Sequence, residues 1–466
     1  MAYKLLFISL GCAKNLVDSE KMLEVLANYG FEFTDTPEEA DAAVVNTCTF
    51  IDEAKSESID NILDIAEYKK PEKGGKLKAL IVAGCLVERY RENLYDEIPE
   101  IDAVLGVSNI QDIASVALWV LKGNRKLLMA DIPMVRMRKP KALLTADNYM
   151  GNDSKGEKTS RISLTPPYWS YLKISDGCNN PCSFCVIPKL RGNFKSVPMD
   201  MLIARARRLA DEDVREFNII AQDTSNYGRD LYGTPKLAEL LKKLSEIDKI
   251  KWLRVLYTYP LHVSDELIDV IASNPKVCNY IDVPLQHVTD NMLSKMRRGM
   301  TLVKTEQFVE KLREKAPDMC IRTSFIIGHP GETEKDVEAL IEFIAKYKLD
   351  KVGFFRYSRE EGTIAAEMPD QVPEKEKIKR LKLVSREYDK VLKEINNSLI
   401  GRELDFLIED YDDKKKMFVA RSYREAPEVD GYVYLKGFDV QIEAPGNFVR
   451  AKITKTKNYD LIAEAI

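Results

Sequence analysis

Short apolar runs alternate with longer stretches of helical period along the first part of the chain. YKLLFISLGC reads as a buried strand, and NLVDSEKMLEVLANYG as an amphipathic helix closed by Gly30, a residue suited to the turn at a helix end. FEFTD, ADAAVVNTC, LKALIVAGC and AVLGV follow as strands, separated by helical sequence such as IDEAKSESIDNILDIAEYKK. This alternation specifies a parallel sheet wrapped by helices, an open α/β domain over residues 1–122. The pattern lapses over residues 123–165, which are polar, rich in Lys and Arg and broken by Pro and Gly. That segment reads as a linker.

A second series opens at YWSYLKIS. Further strands at EFNIIAQD, WLRVLYTYP, YIDVPLQH, CIRTSFIIGHP and KVGFFRYS make a partial (βα)6 barrel within residues 166–398. Six units are too few to close an eightfold barrel and enough for an open one. The series ends in the charged helix EKEKIKRLKLVSREYDKVLKEINNSLIG. Over residues 399–466 the texture changes to short alternating strands, LDFLIEDYD, KMFVARS, GYVYLK, DVQIEA and NFVRAKITKTKNYDLIAEAI. Gly and Pro between them specify a small all-β, OB-like barrel. The expected fold class is α/β, with this third part all-β.

Length and composition narrow the picture. A chain of 466 residues is too long for one ordinary domain, and 45% hydrophobic with 31% charged residues allows large cores under a solvated surface. The formal net charge of −4 gives no general attraction to nucleic acid. An RNA partner would need a local basic patch, for which Arg136, Arg138, Lys139 and Lys141 of the linker are candidates. Eight cysteines are too sparse for a disulfide framework and suit a reducing compartment where thiols hold metal or react. The opening MAYKLLFISLGCAKN loosely resembles a lipoprotein signal, but its apolar core LLFISL is shorter than the ~7–15 residues of a secretory signal. No run approaches the ~18 apolar residues of a transmembrane helix. The expected location is the cytoplasm, with no membrane partner.

The cysteines carry the chemistry. Residues 175–192, SDGCNNPCSFCVIPKLRG, place Cys178, Cys182 and Cys185 at C-x3-C-x2-C. A closed structural zinc site takes four protein ligands, yet the next cysteine is Cys278 and the nearest histidine His262. Cys12, Cys48 and Cys85 form a second set of three. Each ends an expected parallel strand, and an open α/β sheet has its binding crevice at the carboxyl ends of its strands. Ordinary buried small residues are the plainer alternative for this set. Thiolates select soft metals, iron–sulfur clusters above all. Three thiolates leave one iron open to a substrate, as a catalytic zinc keeps an open position. A zinc knuckle or an electron-transfer cluster would each want the missing ligand. Cys278 and Cys320 fall outside both sets and read as inert.

The C-x3-C-x2-C stretch, with Phe184 before its last cysteine and at the end of the first barrel strand, resembles the radical S-adenosylmethionine (SAM) superfamily. Together with a three-cysteine first domain and a C-terminal TRAM domain, it looks like the MiaB/RimO methylthiotransferases. SLGCAKNLVDSE, IIAQDTSNYGRD, PLQHVTDNMLSKMRRG and FIIGHPGETE are similar to the RimO branch, over nearly the whole chain. Ala13 stands where that branch usually has Pro, and His329 where an aromatic residue is more frequent. The resemblance implies a SAM-dependent transferase with two 4Fe–4S clusters. Cys178, Cys182 and Cys185 would hold the catalytic cluster, where SAM is cleaved to a 5′-deoxyadenosyl radical. Cys12, Cys48 and Cys85 would hold an auxiliary cluster that binds the sulfur to be inserted, and a second SAM would supply the methyl group. The target in the RimO branch is the β-carbon of an aspartate in small-subunit ribosomal protein S-twelve; in the MiaB branch it is a tRNA adenosine. An electron donor such as flavodoxin or ferredoxin and a sulfur donor are implied as partners.

Softer signals lie at other strand ends. By resemblance, Gln222 and Asp223 stand where such enzymes hold the methionine amino group, and Gly328 near the adenine. Pro284, Gln286 and His287 end the fourth strand, and Phe184, Gln222, Asp223, Gln286 and Gly328 are the candidate SAM contacts. A local hydrogen bond capping the next helix is the alternative for the polar ones. His287 either titrates near neutrality or is a structural histidine.

The last domain bears on the choice of branch. Residues 401–466 hold 11 Lys and Arg against 13 Asp and Glu, where an RNA groove wants a basic excess. Tyr423, Tyr432, Tyr434 and Phe438 could stack on bases, and core packing is the plainer reading of aromatics on short strands. The acidic stretch RSYREAPEVDGYVY suits a basic ribosomal protein better than a polyanion such as tRNA, with Glu425, Glu428 and Asp430 as its recognition residues. Against all of this stands a non-catalytic iron–sulfur RNA-binding protein, whose clusters only brace the fold.

Overall fold

The computed structural model describes residues 3–49, 51–135, 162–440, 442–457 and 459–466. Arg136, Arg138, Lys139 and Lys141 lie outside the described residues. The chain packs as two compact units. The first comprises Met1–Thr165, Asp176–Asn179 and Val186–Phe194, and the second Pro166–Ser175, Asn180–Cys185 and Lys195–Ile466.

In the first unit, strands β1 (Lys4–Ser9), β2 (Glu32–Phe33), β3 (Ala42–Thr47), β4 (Ala79–Gly84) and β5 (Ala103–Leu105) form one sheet in the order β2-β1-β3-β4-β5. Every pairing is parallel. Both faces are buried, as the near-continuous apolar runs require. Leu5, Val44, Ile81 and Leu105 face one core, and Leu6, Val45, Leu80 and Val104 the other. The strand order puts a topological switch point between β1 and β3, the position at which such sheets bind their ligands. Two expectations shift. FEFTD forms only the two-residue edge strand β2. Residues 123–135 are not free linker: Leu127 bridges Ala103 on the edge strand, and Arg125 pairs with Asp102 at 2.6 Å. Two buried apolar residues, Leu127 and Ile132, and one ion pair carry too weak a periodicity to be read from sequence.

In the second unit, β6 (Trp169–Lys173) is followed by the two-residue strands β7 (Ser175–Asp176) and β8 (Lys195–Ser196). Then come β9 (Glu216–Ile220), β10 (Trp252–Val255), β11 (Val277–Asp282), β12 (Cys320–Ile327) and β13 (Lys351–Arg356). The six long strands pair in sequence order, all parallel, in an open sheet. This is the expected partial barrel. Helices such as Leu302–Lys315 and Glu334–Tyr347 cover its outer face through Phe308, Leu312, Leu340 and Ile344. The charged segment after the series forms one helix, Glu374–Ser398, with Val384, Tyr388 and Val391 turned to the core.

The same unit ends in a closed barrel of β14 (Glu403–Asp412), β15 (Met417–Arg421), β16 (Val433–Lys436), β17 (Phe448–Lys457) and β18 (Asp460–Ala465). DVQIEA makes no strand among its described residues: Val440 and Ile442 are exposed, because alternation without a pairing partner does not make a ladder. The last expected strand is two, turning back between Lys457 and Asp460. Tyr432 is exposed and Tyr423 and Tyr434 are half-buried, so core packing accounts only for Phe438, which packs partly against the barrel core.

The acidic stretch behaves differently from the recognition surface expected of it. Glu425 is buried, receives N–H and O–H from Ser422 and faces Lys351 at 3.4 Å. Asp430 accepts from Tyr280 at 2.7 Å and from Arg322 at 3.3 Å, and Glu428 accepts from Tyr171 at 2.8 Å. These carboxylates fasten the small barrel to the inner face of the open one. A charge count cannot tell a solvated carboxylate from one buried against an arginine brought from elsewhere in the chain. Among the described residues no helix is long and apolar enough to cross a membrane.

Candidate active site

Cys12, Cys48 and Cys85 stand at the carboxyl end of the first unit's sheet. Cys12 follows β1 and precedes the helix Ala13–Asn28, Cys48 directly follows β3, and Cys85 opens the helix Cys85–Tyr90 after β4. The glycines before Cys12 and Cys85 are required. Gly11 has φ +95°, and a Cβ there would stand 2.7 Å from Cys48 Cβ; at Gly84, φ +97°, it would meet Asn46 Oδ1 at 2.4 Å. Asn15 and Asn46 tie the strand ends together: Asn15 Nδ2 donates to Leu10 O at 2.6 Å, and Asn46 Nδ2 to Asn15 O at 3.1 Å. Ser58 Oγ accepts the Cys48 N–H at 3.0 Å.

Arg191 enters this group, and nothing in the sequence singled it out. Its side chain is 2% exposed, pairs with Asp18 at 2.8 Å and Asp176 at 3.3 Å, and donates to Cys85 Sγ at 3.7 Å. Burial pushes the Cys85 thiol up to about 11 against the pull of Arg191, and the Cys12 and Cys48 thiols are near enough to push it the same way. Cys12 is exposed; the protein around it disfavours its thiolate, but Lys14, Arg191 and the backbone N–H groups of Asn15 and Lys14 outweigh that, so this thiol titrates below its ordinary value. Asp18 lies 173 residues before Arg191, and that distance along the chain hid the pair.

In the C-x3-C-x2-C stretch, Cys178 falls in the first unit, where its N–H donates to Gly192 O at 3.2 Å, and Cys182 and Cys185 fall in the second. Cys182 Sγ accepts from Arg298 Nη1 at 3.2 Å. Ser183 is held by its N–H to Met296 O, by its carbonyl from Ala365 N–H, and by its hydroxyl to His329 Nε2 at 3.2 Å. Phe184 meets the His329 ring edge to face at 6.4 Å, and His329 in turn packs on Tyr357. His329 thus makes ring contacts on both sides and adds a hydrogen bond to the cysteine stretch. Burial pushes its imidazole down to about 4, so it is neutral.

The strand-end residues divide. Asp223, after β9, is 2% exposed and accepts four hydrogen bonds: from His262 Nδ1 at 2.7 Å, Asn180 Nδ2 at 2.9 Å, Ser225 Oγ at 2.7 Å and Asn226 N at 3.3 Å. It therefore does cap the short helix Thr224–Asn226, and it also orients an imidazole at the rim of the barrel. His262 sits outside every motif, so the sequence carries no sign of this contact. Gln222 is half-buried beside Asp223. Gln286 adopts φ +72° and is pinned by its N–H to Ser324 O and its carbonyl from Ile326 N–H. Such a conformation in a non-glycine residue marks a place where the fold overrides local preference. Gly328, φ +81°, donates to Glu332 Oε2 at 2.9 Å, and Lys377 packs where a Cβ would stand. His287 is fully buried, accepts Val288 N–H on Nδ1 at 2.9 Å, and burial holds its imidazole down to about 4. Cys278 and Cys320 are buried without a cysteine partner, and burial pushes the Cys278 thiol up to about 12, as inert thiols behave.

All eight cysteines are free thiols, and among the described residues no three Asp, Glu, His or Cys side chains stand at the spacing of a single metal ion. Each set of three also has an arginine N–H on one of its sulfurs, Arg191 on Cys85 and Arg298 on Cys182. Donors of this kind stabilise a cluster's sulfur ligands.

Residues 4–106 match the uncharacterized protein family UPF0004, residues 172–344 the radical SAM superfamily, and residues 400–466 the TRAM domain. The chain is 44% identical over 462 residues to the ribosomal protein uS12 methylthiotransferase RimO of Lachnoclostridium phytofermentans, covering 99% of this chain and 100% of that one. It is 43% identical over 466 residues to the RimO of Geobacter sulfurreducens, covering 99% and 98%. Among solved structures, the radical SAM methyltransferase TsrM of Kitasatospora setae, with cobalamin and a 4Fe–4S cluster bound, superposes with a TM-score of 0.53 at 16% identity. It covers 76% of this chain and 75% of its own, a likeness of fold. Identity over almost the full length, with all three matched segments in one chain, settles the assignment: this protein belongs to the RimO family of ribosomal protein uS12 methylthiotransferases.

Proposed function

We propose that this chain adds a methylthio group to the β-carbon of an aspartate in ribosomal protein uS12, as a cytoplasmic radical SAM transferase. The observation that carries the reading is the pair of three-cysteine sets, each with an arginine on one sulfur, in a chain 44% identical to a uS12 methylthiotransferase. When bound, an iron–sulfur cluster with SAM supplies the one-electron chemistry that amino-acid side chains lack.

The division of labour follows the domains, which we place at 1–122, 166–398 and 399–466, joined by the segment 123–165, whose first residues pack on the edge of the first sheet. Cys178, Cys182 and Cys185 would hold the cluster that supplies SAM cleavage, and Cys12, Cys48 and Cys85 would hold a second that supplies the sulfur. Phe184, Gln222, Gln286 and Gly328 shape the SAM site. Asp223, its lone pairs already taken up by four donors, acts there by orienting Asn180 and His262. A flavodoxin or ferredoxin supplies electrons, and a separate donor supplies sulfur.

The test offers the anaerobically reconstituted chain both uS12 and tRNA with SAM and a reductant. The methylthio mass should appear on uS12. Mass gain on tRNA alone would assign the chain to the tRNA-modifying branch, and SAM left uncleaved would support a non-catalytic iron–sulfur protein.

A further inference from the structure

Arg298 is buried, at 4% exposure, and no carboxylate among the described residues pairs with it. Its Nη1 donates to Cys182 Sγ at 3.2 Å, its Nη2 donates to Pro284 O at 2.6 Å, and its guanidinium lies 4.2 Å from the centre of the Tyr259 ring. The Tyr259 hydroxyl donates back to the Arg298 carbonyl at 2.8 Å, so ring and arginine are fastened to each other. Nε is buried with no acceptor. A buried cation without a counter-ion costs several kcal/mol. The fold keeps one here against a cysteine sulfur, so the site is built for an anion at that sulfur.

We propose that Arg298 sets the reduction potential of the cluster held by Cys178, Cys182 and Cys185, raising it through a charge-assisted N–H···S bond to Cys182. This rests on the functional reading above, in which those cysteines hold that cluster. One electron from a flavodoxin- or ferredoxin-class donor would make a cluster held there one unit more negative. The charge falls partly on its sulfur ligands, so a fixed cation and donor at 3.2 Å favour the reduced form. The effect is large because the arginine is already in place: Pro284 and Tyr259 hold it before any electron arrives, and the low local dielectric leaves its field unscreened. Arg298 is a positioning residue for electron entry and need not touch the substrate.

The experiment uses the full chain carrying Cys12→Ala, Cys48→Ala and Cys85→Ala, so that one cluster remains, reconstituted without oxygen. Its midpoint is read by an EPR-monitored redox titration, beside iron content and melting temperature. Arg298→Met should shift the reduction equilibrium at least tenfold toward the oxidised form, ~59 mV for one electron. Arg298→Gln, which keeps a donor and loses the charge, should fall between. Arg297→Met removes the same charge from the exposed neighbour and should leave the midpoint unchanged. An unchanged midpoint in Arg298→Met, an equal shift in Arg297→Met, or loss of the cluster in both Arg298 variants would each overturn the tuning role. A parent chain that assembles no cluster would instead overturn the functional reading.

Discussion

Arg421 of the small barrel and Glu216 of the open barrel form a fully buried, two-pronged ion pair. Nη2 reaches Oε2 at 2.7 Å and Nη1 reaches Oε1 at 3.2 Å, with both side chains 0% exposed. Glu216 also accepts from Arg254 at 2.9 Å, and Arg421 also pairs with Glu409. Glu216, at the start of β9, is thus shared between two buried arginines, of which Arg421 has Glu409 as a second partner.

Glu216→Ala should therefore cost more stability than Arg421→Met. The first leaves Arg254 and Arg421 facing each other without their shared anion, whereas the second leaves Glu216 still paired with Arg254. Removing one partner of a buried pair costs about 3–5 kcal/mol, and denaturant unfolding should place Glu216→Ala at or above the upper end. The two arginines hold the Glu216 carboxyl below its ordinary value despite burial, which by itself would raise it. Its contribution is complete above the unfolded-state value near 4.5 and is lost as the pH falls below it. Equal destabilisation by the two variants would show that the shared anion is not what matters.

Charge reversal at Glu425 should act on folding and not on recognition. Glu425→Lys buries a second cation beside Lys351, with the Ser422 donors left facing it, and should lower the melting temperature sharply. Glu428→Lys, at an exposed position where the carboxylate accepts from Tyr171, should be mild. Normal melting of Glu425→Lys with selectively weakened uS12 binding would restore the recognition role.

The two cysteine sets should separate by function. Cys178→Ala, Cys182→Ala and Cys185→Ala together should abolish 5′-deoxyadenosine formation. Cys12→Ala, Cys48→Ala and Cys85→Ala together should leave SAM cleavage intact and stop methylthiolation. Chromatographic detection of 5′-deoxyadenosine and mass spectrometry of uS12 check both arms, and SAM cleavage surviving in the first variant refutes the assignment.

His287 should make the protein acid-sensitive well above the carboxylate range. Burial lowers its imidazole from 6.5 to about 4, so between those values the unfolded chain binds a proton that the folded chain refuses. Stability is complete above pH 6.5, falls as the pH drops toward 4 and levels off below, by about 3 kcal/mol in all. Urea midpoints at pH 7, 5.5 and 4.5 should fall less steeply for His287→Gln than for the parent, even where the variant is weaker at pH 7.

What the sequence determined by itself is what local pattern encodes. Apolar runs and helical periods carry the two parallel sheets and the closing small barrel, because burial on both faces of a parallel strand leaves a continuous signal. The strand-end placement of Cys12, Cys48 and Cys85 was legible for the same reason, since each sits at the end of an apolar run, and C-x3-C-x2-C is contiguous in the chain. Only the tertiary structure decided which charges meet. Arg191 reaches Asp18 across 173 positions, Arg298 reaches Cys182 across 116, and Arg421 reaches Glu216 across 205. An arginine has no periodicity that names its partner, and a carboxylate reads the same in sequence whether water or a guanidinium surrounds it. Burial, which the fold alone imposes, turns those charges from solvated surface into ties between barrels and donors to sulfur.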